Sequence, residues 1–218
     1  MAVLERHLLK IDVFHLQTQV SEIDALTPQF LQRRGFAETW RRLEYRLNVR
    51  EADSCSLETS ASKLEQQSVY VKTYSELATD PGRDEKLRAL NWRLEQDVPH
   101  GKKPTELSLE AFLRERLEPK AVLKDAFYIA LNGDAFVGMS SLWNQTYLET
   151  DFTGVLPEYR GRGIAALMKL SGIRYAQRHG FTEIRTTNDV GNEAMRRLNE
   201  QLGFEVQPAL LRLEKQLG

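Results

Sequence analysis

The sequence predicts an α/β fold, and three observations carry the prediction. A strand-like segment, an amphipathic helix, a glycine and a further strand follow one another at 15–36 and again, in gapless alignment, at 183–204. Over 153–180 a strand passes through a glycine-rich turn into a long apolar helix. Two apolar runs in AFYIALNGDAFVGMSSLWNQ meet at Asn132-Gly133-Asp134, residue types that tolerate the positive φ a tight hairpin turn needs.

Taken in order, MAVLERHLLK places Glu5, Arg6 and His7 inside an apolar stretch, which predicts an amphipathic helix and not a secretory signal. HLQTQVSEIDALTPQFLQRRGF at 15–36 then aligns with EIRTTNDVGNEAMRRLNEQLGF at 183–204. Thr18/Thr186, Gly35/Gly203 and Phe36/Phe204 are identical, and Leu16/Ile184 and Phe30/Leu198 match in type. Each glycine suits the left-handed position that closes a helix. The first copy ends in the long strand FAETWRRLEYRLNV and begins only about ten residues before its first strand, whereas the second copy follows a strand, a glycine turn and a helix. Residues 1–50 are therefore expected to be a partial unit. The polar stretch 51–67, EADSCSLETSASKLEQQ, has a linker's composition and leaves 68–218 as the main domain.

Within 68–218 a strand is expected at 68–77. Asp80 and Pro81 then open a helix over about 82–97, with Leu87, Leu90, Trp92 and Leu94 on its apolar side. Ser108 caps a second helix at about 108–118 that carries Ala111, Phe112, Leu113 and Leu117. The hairpin and a third strand, YLETDFTGVL, lead to the glycine turn.

With 218 residues, 41% hydrophobic and 28% charged, the composition is that of a globular chain. The 30 basic and 31 acidic residues leave a net charge of −1, so no general field draws in nucleic acid or an anionic membrane, and an anion site must be local. No apolar run reaches the roughly 20 residues that cross a bilayer, and the mean hydropathy is −0.47. The single cysteine, Cys55, forms neither an internal disulfide nor a thiolate zinc cage, which makes a reducing cytoplasm the default expectation. His7, His15, His100 and His179 lack paired metal spacing, and no metal is expected.

The turn holding Pro157, Arg160, Gly161, Arg162 and Gly163 puts bare backbone at the start of a helix. Unpaired amides and the helix dipole there attract an anion, and the two glycines keep Cβ atoms out of its way. Arg160 and Arg162 supply charge-assisted donors. No Gly-Lys-Ser/Thr follows, and Ala166 stands where a dinucleotide fingerprint ends in glycine, so neither of those phosphate-binding motifs applies.

These residues resemble the GNAT superfamily of acyl-CoA-dependent N-acyltransferases. Arg160-Gly161-Arg162-Gly163-Ile164-Ala165 is similar to its pyrophosphate loop, Val155-Leu156-Pro157-Glu158-Tyr159 to its strand exit, and Asn192 to Phe204 to its closing Asn-helix-Gly-Phe segment. The resemblance covers about 68–215, and residues 15–50 resemble the tail of a second such domain, as in tandem members similar to mycothiol synthase. It implies a mixed sheet, splayed and flanked by helices, with acetyl-CoA in the opening. The pyrophosphate would lie on the amides of 160–165, and the pantetheine arm along the backbone of Val155. Asn188 and Asn192 either hold its far amide or, for Asn192, cap the next helix.

The implied activity is acetyl transfer to the amine of a small molecule or peptide, by direct attack in a ternary complex. A proton acceptor, an oxyanion donor and a proton for the leaving thiolate are then required. Strict alternation puts Glu149, Asp151, Thr153 and Val155 on one strand face. Glu149 is favoured as base by its family position and Asp151 is the second candidate, while the Val155 or Leu156 amide is expected to meet the oxyanion. Many members carry a tyrosine where this chain has Asn199, and an amide releases no proton; Asn199 donates a hydrogen bond to the sulfur or is a plain helix residue, with water or Tyr147 as acid. Trp92, His100, Trp143 and Tyr147 fall in segments expected around the acceptor. The competing expectations are a coenzyme A-binding sensor without turnover and an interaction module. The unpaired edges of a half-sheet at 1–50 are expected either to pack on the main domain's sheet or to pair with their counterpart in a second chain, the homodimer being favoured.

Overall fold

The computed structural model describes residues 7–8, 10–24, 26–98 and 104–217. The helix expected over the first ten residues falls largely outside them, and so does His100. The elements are β1 (His15–Ser21), α1 (Leu26–Gln32), β2 (Ala37–Asn48), α2 (Leu57–Glu65), β3 (Val69–Thr73), α3 (Arg83–Glu95), α4 (Leu109–Arg116), β4 (Val122–Asn132), β5 (Ala135–Asn144), β6 (Leu148–Val155), a 3-10 turn (Pro157–Tyr159), α5 (Ile164–Arg178), β7 (Glu183–Asp189), α6 (Glu193–Gln201) and β8 (Glu205–Gln216). The strands form one mixed sheet in the order β1-β8-β2-β7-β6-β5-β4-β3. The chain divides into two compact units, Met1–Tyr45 with Thr187–Glu200 and Glu205–Gly218, and Arg46–Thr186 with Gln201–Phe204. Among the described residues no helix is long and apolar enough to cross a membrane.

The second unit carries the glycine turn. β3, β4, β5 and β6 are successive antiparallel strands, the β4–β5 turn using Gly133 at φ 59°. α5 packs on β4, β5 and β6, α3 packs on β5, and α2 packs on α5 and β3. Phe127, Ile129, Leu148, Met168, Ile173 and Ile184 are all but fully buried there. Removing such side chains from water is the main favourable term in holding the layers together. Ser108 caps α4 as expected, its side chain accepting from the Ala111 amide at 3.2 Å.

The stretch 51–67, expected as a linker, contains α2. Leu64 is buried under it, and Ser54 is tied to α5 by Gln177 and Arg174 at 2.8 and 3.0 Å. A helix of that polarity with so narrow an apolar stripe looks like a linker by composition, and only its tertiary partner distinguishes the two.

In the first unit β1 runs antiparallel to β8, from His15↔Gln216 to Ser21↔Leu210. Leu31, Phe36 and Leu213 form its core, with Leu16 and Val20 against them. The element bounds repeat: adding 168 carries His15–Ser21 onto Glu183–Asp189 and Ala37–Asn48 onto Glu205–Gln216. Gly35 and Gly203 both adopt the left-handed conformation, at φ 83° and 84°. In the order β1-β8-β2-β7 the first strand of each segment lies beside the second strand of the other.

Candidate active site

β6 is the strand on which the candidate carboxylates stand, and its pairing with β5 is irregular. Leu142 opposes Thr150 and Ser141 opposes Phe152, leaving Asp151 as the extra residue of a bulge. The bulge breaks the alternation. Thr150 lines a small cavity beneath α5, Thr153 shares a 2.8 Å hydrogen bond with Ser140, and Val155 lies against the α5-facing side of Gly138, so these three point toward α5. Glu149, on the opposite face from Thr150, accepts from Gln145 Nε2 at 2.9 Å. Asp151 faces α4, where Arg116 Nη1 lies 3.5 Å from its Oδ2 while Nη2 binds Glu95 Oε1 at 3.0 Å. The expected grouping of Glu149, Asp151, Thr153 and Val155 on one face is therefore corrected: the two carboxylates stay together, and Thr153 and Val155 turn to the other side.

Parallel pairing between β6 and β7 runs only from Leu148↔Ile184 to Thr150↔Thr186. Leu156 donates its amide to Val137 O at 2.9 Å, so it is not the free oxyanion donor expected of it. In an antiparallel ladder the neighbouring pair Val155↔Gly138 is then non-hydrogen-bonded, which turns the Val155 amide and carbonyl away from β5. That carbonyl accepts from Arg160 Nε at 2.9 Å, while Arg160 Nη2 reaches Asp97 at 2.6 Å. Arg160 thus ties the end of β6 to the segment after α3. Arg162 donates to Glu158 O at 3.0 Å.

Gly161 and Gly163 take φ of 76° and 90°, conformations that side chains rarely adopt, and Gly163 is the N-cap of α5. A Cβ at either would meet no protein atom within 4 Å. Among the described residues, no hydrogen bond uses an amide of Gly161, Arg162, Gly163, Ile164 or Ala165. Five donors at the positive end of a long helix are left unused by the described residues, and the two glycines leave space beside them, an arrangement that fits a pyrophosphate. On the face that carries the carboxylates, a cavity of about 200 Å³ lies between α3 and α4, lined by residues that include Trp92, Glu95, Phe112 and Arg116.

The asparagines belong to the first unit. Asn199 is fully buried and donates Nδ2 to Asn188 Oδ1 at 2.5 Å, while its own Oδ1 has no partner among the described residues. Asn192 Oδ1 accepts from the Met195 amide at 3.2 Å, the capping alternative for that residue.

The sequence model of the acetyltransferase (GNAT) family matches residues 86–204, more than half of the chain and the whole of the glycine turn. The chain belongs to that family. This GNAT chain is 30% identical over 83 residues to the N-alpha-acetyltransferase 30 of Schizosaccharomyces pombe, a match covering 35% of this chain and 55% of the relative. A GCN5-related N-acetyltransferase from Sphaerobacter thermophilus superposes with a TM-score of 0.65 at 15% identity, over 93% of this chain and 60% of that one. A tandem GNAT protein from the clavulanic acid biosynthesis pathway gives 0.68 at 19%, over 98% and 67%. At such identities the structures establish the fold; this chain spans little more than half the length of the S. pombe relative and of the Sphaerobacter structure.

Sequence reasoning missed three residues packed around β6 and α5. Arg116, which bridges Asp151 and Glu95, gives no signal because any polar helix carries such arginines. Gly154 is needed because a Cβ there would come within 2.8 Å of Phe152 and 3.1 Å of Leu94. Lys169, buried on α5, does leave a trace: it interrupts the apolar run Leu167-Met168-Lys169-Leu170. Of the expected acceptor-side aromatics, Trp92 lines the 200 Å³ cavity, Trp143 buries Nε1 without a described partner, and Tyr147 stacks under Arg185 at 4.2 Å.

Proposed function

We propose that this chain transfers an acetyl group from acetyl-CoA to the amine of a small molecule or peptide, by direct attack while both are bound. The observation that carries the reading is the run of unused amides at 161–165 on the N-terminus of α5, beside a strand, β6, whose parallel pairing with β7 ends at Thr150. The coenzyme supplies an activated acetyl thioester. Gly161, Arg162, Gly163, Ile164 and Ala165 bind its pyrophosphate, with Arg160 and Arg162 adding charge. Val155 turns its amide toward the opening and stabilises the oxyanion. Glu149, oriented by Gln145, takes the proton from the acceptor's ammonium; Asp151, held by Arg116, is the second candidate.

Asn199 favours a second reading, a coenzyme A sensor without turnover, since its buried carboxamide is committed to Asn188 and has no proton to release. Residues 1–50 are read as a partial second GNAT-like unit on the strength of the 168-residue repeat, which supports a tandem relationship like that of mycothiol synthase; the homodimer expected from unpaired edges loses that ground, because β1 pairs with β8 of the same chain. The composition supports a cytoplasmic location. The test is calorimetric titration with coenzyme A: Gly163→Asp, which sets a carboxylate where phosphate is expected, abolishes binding in a folded protein. Unchanged affinity overturns the assignment. Thiol release from acetyl-CoA with a panel of amines separates transferase from sensor.

A further inference from the structure

Lys169 is 5% exposed, and no hydrogen bond or ion pair involves its side chain among the described residues. Its Nζ stands 4.9 Å from the centre of the Phe204 ring. An amine so placed stays charged only at a cost, and burial alone lowers its pKa to about 7. Beside it is a cavity of about 10 Å³, room for the centre of one water, lined by Lys169, Ser140, Thr150, Leu142 and Phe204 among others. From there the hydroxyls continue outward, since Ser140 Oγ and Thr153 Oγ1 are 2.8 Å apart and Thr153 is only partly buried. Thr153 lies past the bulge, on the part of β6 beyond its last pairing with β7.

We propose that Lys169 is the proton reservoir for the reaction at β6, delivering a proton to the leaving sulfur through a cavity water, Ser140 and Thr153. This inference rests on the transferase reading. As the acceptor nitrogen bonds to the acetyl carbon and the carbon–sulfur bond breaks, the sulfur gains the Thr153 hydroxyl proton. Ser140 and then the water replace it in turn, and the Lys169 ammonium becomes the amine. Solvent returns the proton after release. The other groups facing Lys169 do not compete for this role. Tyr128 of β4 donates its hydroxyl to Ser171 O at 3.0 Å and burial pushes its pKa up; β5, β6 and β7 bring Ser140, Leu142, Thr150 and Ile184, which carry no charge; from α2, Glu58 pairs with Arg174 farther along α5. Lys169 acts through other groups and is a positioning and relay residue.

Two measurements on the full chain test it. In the unliganded protein labelled with ε-13C lysine, the resonance lost in Lys169→Met titrates near neutrality; titration above pH 10 overturns the proposal. Thiol release with an accepted amine falls on the alkaline side of its pH profile in the parent. In Lys169→Met and in Thr153→Val, which has the same shape and leaves the buried amine in place, that limb disappears and the rate below it drops by about a hundredfold. A limb retained in both variants overturns the relay while leaving the transferase standing. Coenzyme binding without thiol release for any amine overturns both readings, and absent coenzyme binding traces the failure to the site assignment itself.

Discussion

At the scale of single residues, Glu149 and Lys169 sit on opposite faces of β6 with opposite electrostatic situations. Glu149 is oriented by a neutral amide donor, Gln145, and keeps access to solvent. Replacing it by glutamine removes the proton acceptor, so Glu149→Gln lowers turnover by about a hundredfold while coenzyme affinity is retained. Steady-state kinetics with calorimetry checks this, and an unchanged pH–rate profile moves the role to Asp151. Lys169 makes a separate prediction about stability. Its folded pKa of about 7 lies below the ordinary 10.5, so the unfolded chain holds the proton more tightly. Below pH 7 both states are charged and the penalty for burying the charge is complete; stability then rises with pH up to about 10.5, where both states are neutral. Lys169→Met therefore stabilises the protein by about 5 kcal/mol at pH 6, the gain vanishing near pH 10.5, as urea unfolding across that range measures. A gain independent of pH contradicts it.

At the scale of elements, the bulge in β6 decides which side chains face which layer. The sequence LETDFTGV reads as a regular strand, and alternation predicts one face for Glu149 through Val155. One extra residue at Asp151 leaves the two carboxylates on the α3–α4 face and turns Thr153 and Val155 toward α5. Gly154 follows because its outward space is filled by Phe152 and Leu94. Gly154→Ala must displace the Phe152 ring or bend the strand and costs about 1–3 kcal/mol, a lowered midpoint in thermal unfolding. Gly133→Ala, whose Cβ meets no atom within 4 Å, carries only the penalty of its positive φ and costs less. The helices at 83–95 and 109–116 and the hairpin were legible to within a few residues, since caps, turn residues and apolar spacing are local, whereas the helix at 57–65 was not. The bulge was not, because it is defined by pairing with β5.

At the scale of the whole molecule, both chain ends contribute to the same compact unit, in which β1 takes β8 as its partner. Deleting residues 1–50 removes both neighbours of β8, β1 and β2, and so leaves the edges of β7 and β8 able to pair with other chains. The deleted chain therefore aggregates or changes oligomeric state, while the amides at 160–165 remain; light scattering and coenzyme titration read the two effects separately. A deletion variant as soluble and monomeric as the parent contradicts the first. The division of 1–50, 51–67 and 68–218 expected from composition differs from these units because composition registers only what is adjacent along the chain.

The sequence by itself determined the α/β class, the 168-residue repeat and the anion-binding turn, since each depends on residue types a few positions apart: periodic apolar side chains, glycines at positive φ, an open helix start. Tertiary structure alone decided that Leu156 spends its amide on Val137, that Asn199 is buried against Asn188, that 51–67 holds a packed helix, and that Lys169 is sealed beneath the sheet. Each of these is settled by a partner far away along the chain, and whether a polar group is free, paired or desolvated is a property of that partner and not of the residue.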